Sequence, residues 1–209
     1  MDLKSLARDE RAELAAFLET LTPEQWEAPS LCEEWRVRDV VAHIISYEDL
    51  SARDVMARLA KGRFMPKGVN AVGVGAAADR TPGELLAMLR ERLQPKGLTA
   101  GFGGLIALTD AVIHHQDIRR PLGVAREIPA ERLLPALRGA LNAPVIAGFW
   151  RVRGMRLVAT DLDWSRGSGP EVRGPAEALL MVVAGRRGVV RELSGPGRQR
   201  LAERVEQPG

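Results

Sequence analysis

WRVRDVVAHI (Trp35–Ile44) and LTDAVIHHQDIRRPLG (Leu108–Gly123) together hold every histidine of the 209-residue chain, His43 in the first and His114 with His115 in the second. Both stretches have apolar residues at helical spacing. On a helix Asp110 and His114 stand four residues apart, about one turn, so the two side chains share a face and can reach one ion. His43, from a facing helix, would complete a set of three. Three protein ligands leave the fourth position of a tetrahedral zinc open, as in a catalytic rather than a structural site. The same spacing also occurs on helices that merely turn a polar face to water, so spacing alone leaves both readings standing.

Outward from these stretches the pattern stays helical. Leu3 to Leu21 forms an amphipathic helix, and Thr22-Pro23-Glu24-Gln25 offers a cap, a proline at the first helical position and a capping-box partner. A loop through Pro29 and Cys32 leads to a long helix expected from about Val37 to Ala60, with Val37, Val41, Ile44, Ile45, Val55 and Leu59 on its inner side. Lys61 to Asp79 has scattered glycines and no period, which predicts a long, mobile connection able to cover a pocket. Its glycines do not follow the dinucleotide-binding pattern. Thr81-Pro82-Gly83-Glu84 starts another helix, which Pro95 stops. After GFGG (Gly101–Gly104), a helix is expected from about Leu105 to Arg120, with Leu105, Leu108, Val112 and Ile113 on one side and Asp110, His114 and Asp117 in a polar line on another.

Glu131 to Leu141 is also expected to be helical. From about Trp150 the texture changes. MRLVATDLDW (Met155–Trp164) alternates like a strand, SRGSGPE (Ser165–Glu171) reads as a turn, VRG as a short extended piece, and Pro175 opens a helix. A last helix around Arg198 to Val205 precedes a polar tail expected to fray. The expectation is a mostly α chain, a helical bundle over residues 1–148 followed by a small α/β domain over 149–209.

Composition excludes several function classes. No apolar run approaches the roughly 20 residues that span a bilayer, and acids stand among the first turns, which predicts a cytoplasmic protein with no membrane partner. A single cysteine, Cys32, rules out an internal disulfide. About 11 residues before His43, it reads as a small half-buried thiol rather than a nucleophile. Thirty basic against 27 acidic residues give a net charge of +3, nearly all of the positive charge being arginine interleaved with acids. That is the pattern of solvated, ion-paired helix faces, and with aromatics at 4% no nucleic-acid partner is expected.

The two histidine stretches resemble hallmark motifs of the DinB-like superfamily, specifically its mycothiol-dependent maleylpyruvate isomerase branch. There the first motif typically reads tryptophan, a small hydroxyl residue, then VRD, two apolar residues, A and H; the second reads an acid, three residues, H, two residues, D. ATDLDW (Ala159–Trp164) and GPEVRGPAEALLMVVAGR (Gly169–Arg186) are similar to the small C-terminal domain of that branch. The resemblance implies a DinB-like four-helix bundle holding a divalent metal, usually zinc, and a low-molecular-weight thiol such as mycothiol as co-substrate. Carried over by position, His43 and His114 match the histidine ligands and Asp110 the acidic one. Glutamate is the commoner acid, so Asp110 would ligate directly or through a water. Arg36 replaces the usual capping hydroxyl.

The remaining candidates are weaker. His115, about 100° around the helix from His114, cannot easily share its metal and reads as a packing or pocket residue. Asp117 is placed either to orient a ligand histidine or to pair with Arg119 or Arg120. Arg119 and Arg120, like Arg186 and Arg187, suit either anion contacts to an acidic thiol conjugate or carboxylate substrate, or surface pairing. The function expected is a zinc-dependent thiol transferase or isomerase acting on an electrophilic small molecule. The alternative is a non-enzymatic DinB-like stress protein that binds a metal or ligand.

Overall fold

A computed structural model describes residues 2–206 apart from 49 and 64. The fraying expected of the tail concerns residues 207–209, which lie outside the described ones. The chain divides into two compact units, Met1–Arg126 and Glu127–Gly209.

The first unit contains α1 (Leu3–Glu19), α2 (Pro23–Trp26), α3 (Val37–Ile45), α4 (Ala52–Lys61), α5 (Pro66–Gly75), α6 (Pro82–Glu91) and α7 (Leu105–Arg119). Four of these close a bundle in which α1 packs on α6 and α7, and α3 packs on the same two helices. Each contributes its apolar stripe to one core, with Leu14 and Leu18 of α1, Val37, Val41 and Ile44 of α3, Leu85 and Leu89 of α6 and Ile118 of α7. The helix starts follow their caps. Thr22 and Thr81 accept from the backbone N–H of Gln25 and Glu84, and the side chains of those residues accept from the cap N–H in return.

Two expectations fail in this unit. The helix expected from Val37 to Ala60 ends at Ile45, and a separate helix starts at Ala52. Ser51 and Asp54 form a capping box there, a start signal hidden inside an apparently continuous helical pattern. The mobile connection expected over Lys61–Asp79 contains α5, opened by Pro66 at its first turn. Its Gly73 has a packing reason. A Cβ at this position would overlap the guanidinium of Arg58, which is buried and donates to Val69 O, Ser46 O and Ser46 Oγ while lying 3.9 Å over the Tyr47 ring. Arg58 thus ties α4 and α5 to the end of α3. Gly73→Ala should gain about 1 kcal/mol in helix propensity but displace a charged group from hydrogen bonds worth about 1.5–3 kcal/mol each. A net loss of roughly 2 kcal/mol is expected, read as a lower urea midpoint; a stabilised variant would show that Arg58 is not fixed there.

The second unit contains α8 (Ala130–Asn142), α9 (Gly148–Val152), β1 (Arg156–Ala159), β2 (Ser165–Gly167), β3 (Glu171–Gly174), α10 (Ala176–Val183) and α11 (Arg198–Val205). The sheet order is β2-β1-β3, with β2 antiparallel and β3 parallel to β1. Leu157 pairs with Val172, and both are buried. The expected turn over Ser165–Glu171 therefore begins with a strand, whose three exposed residues give no alternation to read. The units part at 126/127, whereas the expected domains part at 148/149. The difference is α8, which packs on α9 and α10. Among the described residues no helix is long and apolar enough to cross a membrane.

Candidate metal centre

Both bundle helices that carry histidines are buried almost all round. In α3, Val37, Val40, Val41 and Ile44 enter the core and leave His43 at the edge of the stripe, 5% exposed. Its ring lies between the rings of Trp35, at 5.0 Å, and Tyr47, at 5.6 Å. In α7 every residue from Ala107 to Ile118 is buried except Asp110.

Asp110 Oδ1 lies 3.4 Å from His43 Nε2 and 3.4 Å from His114 Nε2. The two imidazole rings stand 4.7 Å apart. A good N–H···O hydrogen bond is shorter, about 2.7–3.2 Å. A tetrahedral ion with ligands at about 2.0–2.1 Å holds its donor atoms about 3.3–3.4 Å apart, so these three side chains have the spacing of a group that could hold a metal ion. His43 Nδ1 is buried with no hydrogen-bond partner, which leaves Nε2 as the nitrogen through which this ring meets polar groups. Two imidazoles and one carboxylate are donors suited to zinc and ill suited to calcium.

The other nitrogen of His114 has a different environment. His114 Nδ1 is 2.8 Å from Asp117 Oδ2, which also accepts from the Cys32 thiol at 3.1 Å. Cys32, His114 and Asp117 form a second group of possible metal donors, but these two contacts are of hydrogen-bond length and leave no space for an ion. A carboxylate on Nδ1–H fixes the tautomer that presents Nε2 to Asp110. Asp117→Asn should keep the fold and weaken metal binding about 10–100-fold, measured by competition with a chelator; unchanged affinity would make the Asp117 contact merely structural.

Charge follows the same geometry. Burial pushes the Asp110 carboxyl up, but His114 and His43 outweigh it and hold the group well below the usual carboxylate range. Burial pushes His114 down, while Asp110, Cys32 and Asp117 raise it well above an ordinary imidazole. For His43 burial wins over Asp110, and its pKa is lowered.

The other candidates lie elsewhere. His115 faces α1, where its Nδ1 is 2.9 Å from Glu10 Oε1. Arg119 faces α1 as well, donating to His115 Nε2 at 2.8 Å and lying 3.9 Å over the Phe17 ring, away from the cluster. Arg120 is half-buried at the end of α7, and Arg186 and Arg187 belong to the second unit. The sequence reading missed how close Cys32 comes. Leu31 N donates to Asp117 O and brings the loop onto α7, a tertiary hydrogen bond with no local signal. At position 36 the missing hydroxyl is offset by Asp39, whose Oδ2 accepts from the Arg36 backbone and side chain.

Residues 7–95 match the family model of the mycothiol maleylpyruvate isomerase N-terminal domain. The match spans less than half of the chain. It includes His43 and stops short of Asp110 and His114. A solved histidine-to-alanine mutant of the mycothiol-dependent maleylpyruvate isomerase is similar at 16% identity and a TM-score of 0.60, over 93% of this chain and 91% of that one. The structure of the mycothiol-dependent maleylpyruvate isomerase is similar at 13% identity and a TM-score of 0.54, again over 93% and 91%. At these identities the likeness establishes the fold alone. No curated protein matches the chain.

Proposed function

We propose that the chain is a metal-dependent thiol transferase or isomerase, with mycothiol or a similar small thiol as co-substrate and an electrophilic small molecule as substrate. The observation that carries this reading is the pair of 3.4 Å separations from Asp110 Oδ1 to His43 Nε2 and His114 Nε2. His43, His114 and Asp110 would hold the ion, most simply zinc, as three ligands with one position open. When bound, zinc supplies a Lewis acid that keeps a thiol as thiolate at neutral pH. Asp117 fixes the tautomer of His114, and the Trp35 and Tyr47 rings hold the plane of His43. The step common to both is addition of the thiol sulfur to an electrophilic carbon, the electron pair displaced on the substrate taking up the proton the thiol gives up. The adduct is kept in a transferase and released after bond rotation in an isomerase. A cytoplasmic setting, where small thiols stay reduced, agrees with the lone free cysteine.

Cys32 decides whether the thiol comes from outside. Its Sγ faces Asp117 and the Nδ1 side of His114, while the open face of the cluster lies at Nε2. Cys32→Ser keeps a donor for Asp117, so thiol-dependent turnover of an electrophile and metal content should both survive within about threefold. The deciding experiment is elemental analysis of the purified protein, followed by turnover with and without mycothiol. Turnover that needs Cys32 and ignores added thiol overturns the external-thiol mechanism. Full metal content with no turnover of any electrophile would favour the non-enzymatic metal-binding alternative.

A further inference from the structure

Solvent reaches the cluster along one side of α7. Between Ala107 and Ile118 only Asp110 is not buried, its side chain 30% exposed, and one turn before it on the same face stands Ile106, 36% exposed. This approach is apolar. Phe102 is 83% exposed in the turn that precedes α7, and no residue from Gly97 to Thr109 carries a charge.

The exposed ring is held in place by its backbone. Phe102 sits at φ 51, ψ 42, in the left-handed region that large side chains rarely adopt. Two residues on, Gly104 has φ 100, and a Cβ there would come within 2.8 Å of the Lys4 backbone nitrogen, so the turn is packed against the start of α1. Gly101 lies against Ile106, whose Cδ1 would be 3.0 Å from a Cβ on that glycine. A large ring kept in solvent on a strained backbone costs stability and adds nothing to the core, which is the pattern of a binding residue.

Resting on the thiol-transfer reading above, we infer that the electrophile carries an apolar tail or ring that lies on Phe102 and Ile106 while its reactive carbon reaches the cluster.

The test uses zinc-loaded full-length protein, mycothiol and the terminal epoxides from 1,2-epoxypropane to 1,2-epoxyoctane, which share one reactive head. Binding of unreactive 1,2-octanediol is followed in parallel by saturation-transfer NMR, with and without metal. The expected result is a kcat/KM that rises about two- to threefold per methylene, with Phe102→Ser and Ile106→Ser each flattening the series and weakening the diol signal at unchanged metal content. Turnover that is independent of chain length, or equally steep in both variants, overturns the inference and leaves the thiol-transfer reading intact. Diol binding that depends on both side chains without turnover of any epoxide supports the apolar site and counts against thiol transfer.

Discussion

His43→Ala and His114→Ala are each expected to lose stoichiometric zinc, while His115→Ala keeps it. The two proposed ligand histidines contribute Nε2 atoms that each lie 3.4 Å from Asp110 Oδ1, so removing either ring leaves two of the three candidate donors. The loss should exceed the 10–100-fold expected for Asp117→Asn, which acts on a ligand only through its tautomer. His115 is next to His114 in sequence but about 100° around α7, with its Nδ1 on Glu10 and its Nε2 on Arg119. Neither nitrogen is available to the cluster. Elemental analysis after gel filtration, with chelator competition for affinity, separates the three variants. Full zinc content in His43→Ala and His114→Ala would refute the ligand set, and loss in His115→Ala comparable to His114→Ala would mean that the wrong histidine of the pair has been chosen.

What could be read from the sequence depended on whether the signal was local. The i, i+4 pair Asp110 and His114 lies on one helix, and the apolar periods of α3 and α7 predict those helices directly. Placing His43 opposite them needed the paired motifs, because helical periodicity does not say which helices face each other. The interrupted helix after Ile45 was missed although its signal was local, since Ser51 and Asp54 lie among residues that also fit a continuing helix. The helix α5 was missed for the opposite reason. Gly73 lowers helix propensity but is required by Arg58, a contact from a different helix. Chain distance puts Cys32 about 11 residues from His43 and says nothing of α7. Its actual neighbours, Asp117 and His114, are 85 and 82 residues away.

The first unit should lose stability steadily as pH falls from about 6.5 towards 2, and Glu10→Ala should cost it about 3–5 kcal/mol at neutral pH. Glu10 is fully buried where α1 meets α7, and its carboxylate meets His115 Nδ1 and Arg126 Nη2. Arg126 also donates to Glu13 and Gln116. Because Arg119 donates to His115 Nε2, that nitrogen carries a lone pair; His115 is therefore neutral and donates through Nδ1 to Glu10. Burial accordingly pushes His115 down to about 4, against the pull of Glu10. Burial pushes Glu10 up, but His115 and Arg126 prevail and bring it to about 2. Both folded values lie below the unfolded ones, 6.5 for the imidazole and 4.5 for the carboxyl. The unfolded chain therefore binds more protons across this range, and stability present above it is lost on acidification, first between about 6.5 and 4 through His115 and then between about 4.5 and 2 through Glu10. Glu10→Ala leaves the Arg126 side chain, 5% exposed, with only the partly exposed Glu13 carboxylate as an anion among the contacts above, which is the costly way to break a buried pair. Glu10→Gln keeps an acceptor for His115 and should cost less while reducing the acid slope below pH 4.5. Urea midpoints at pH 7, 5 and 3.5 test both claims. Stability that is flat over this range, or a Glu10→Ala cost under about 1 kcal/mol, would show that the network is not what holds α1 against α7.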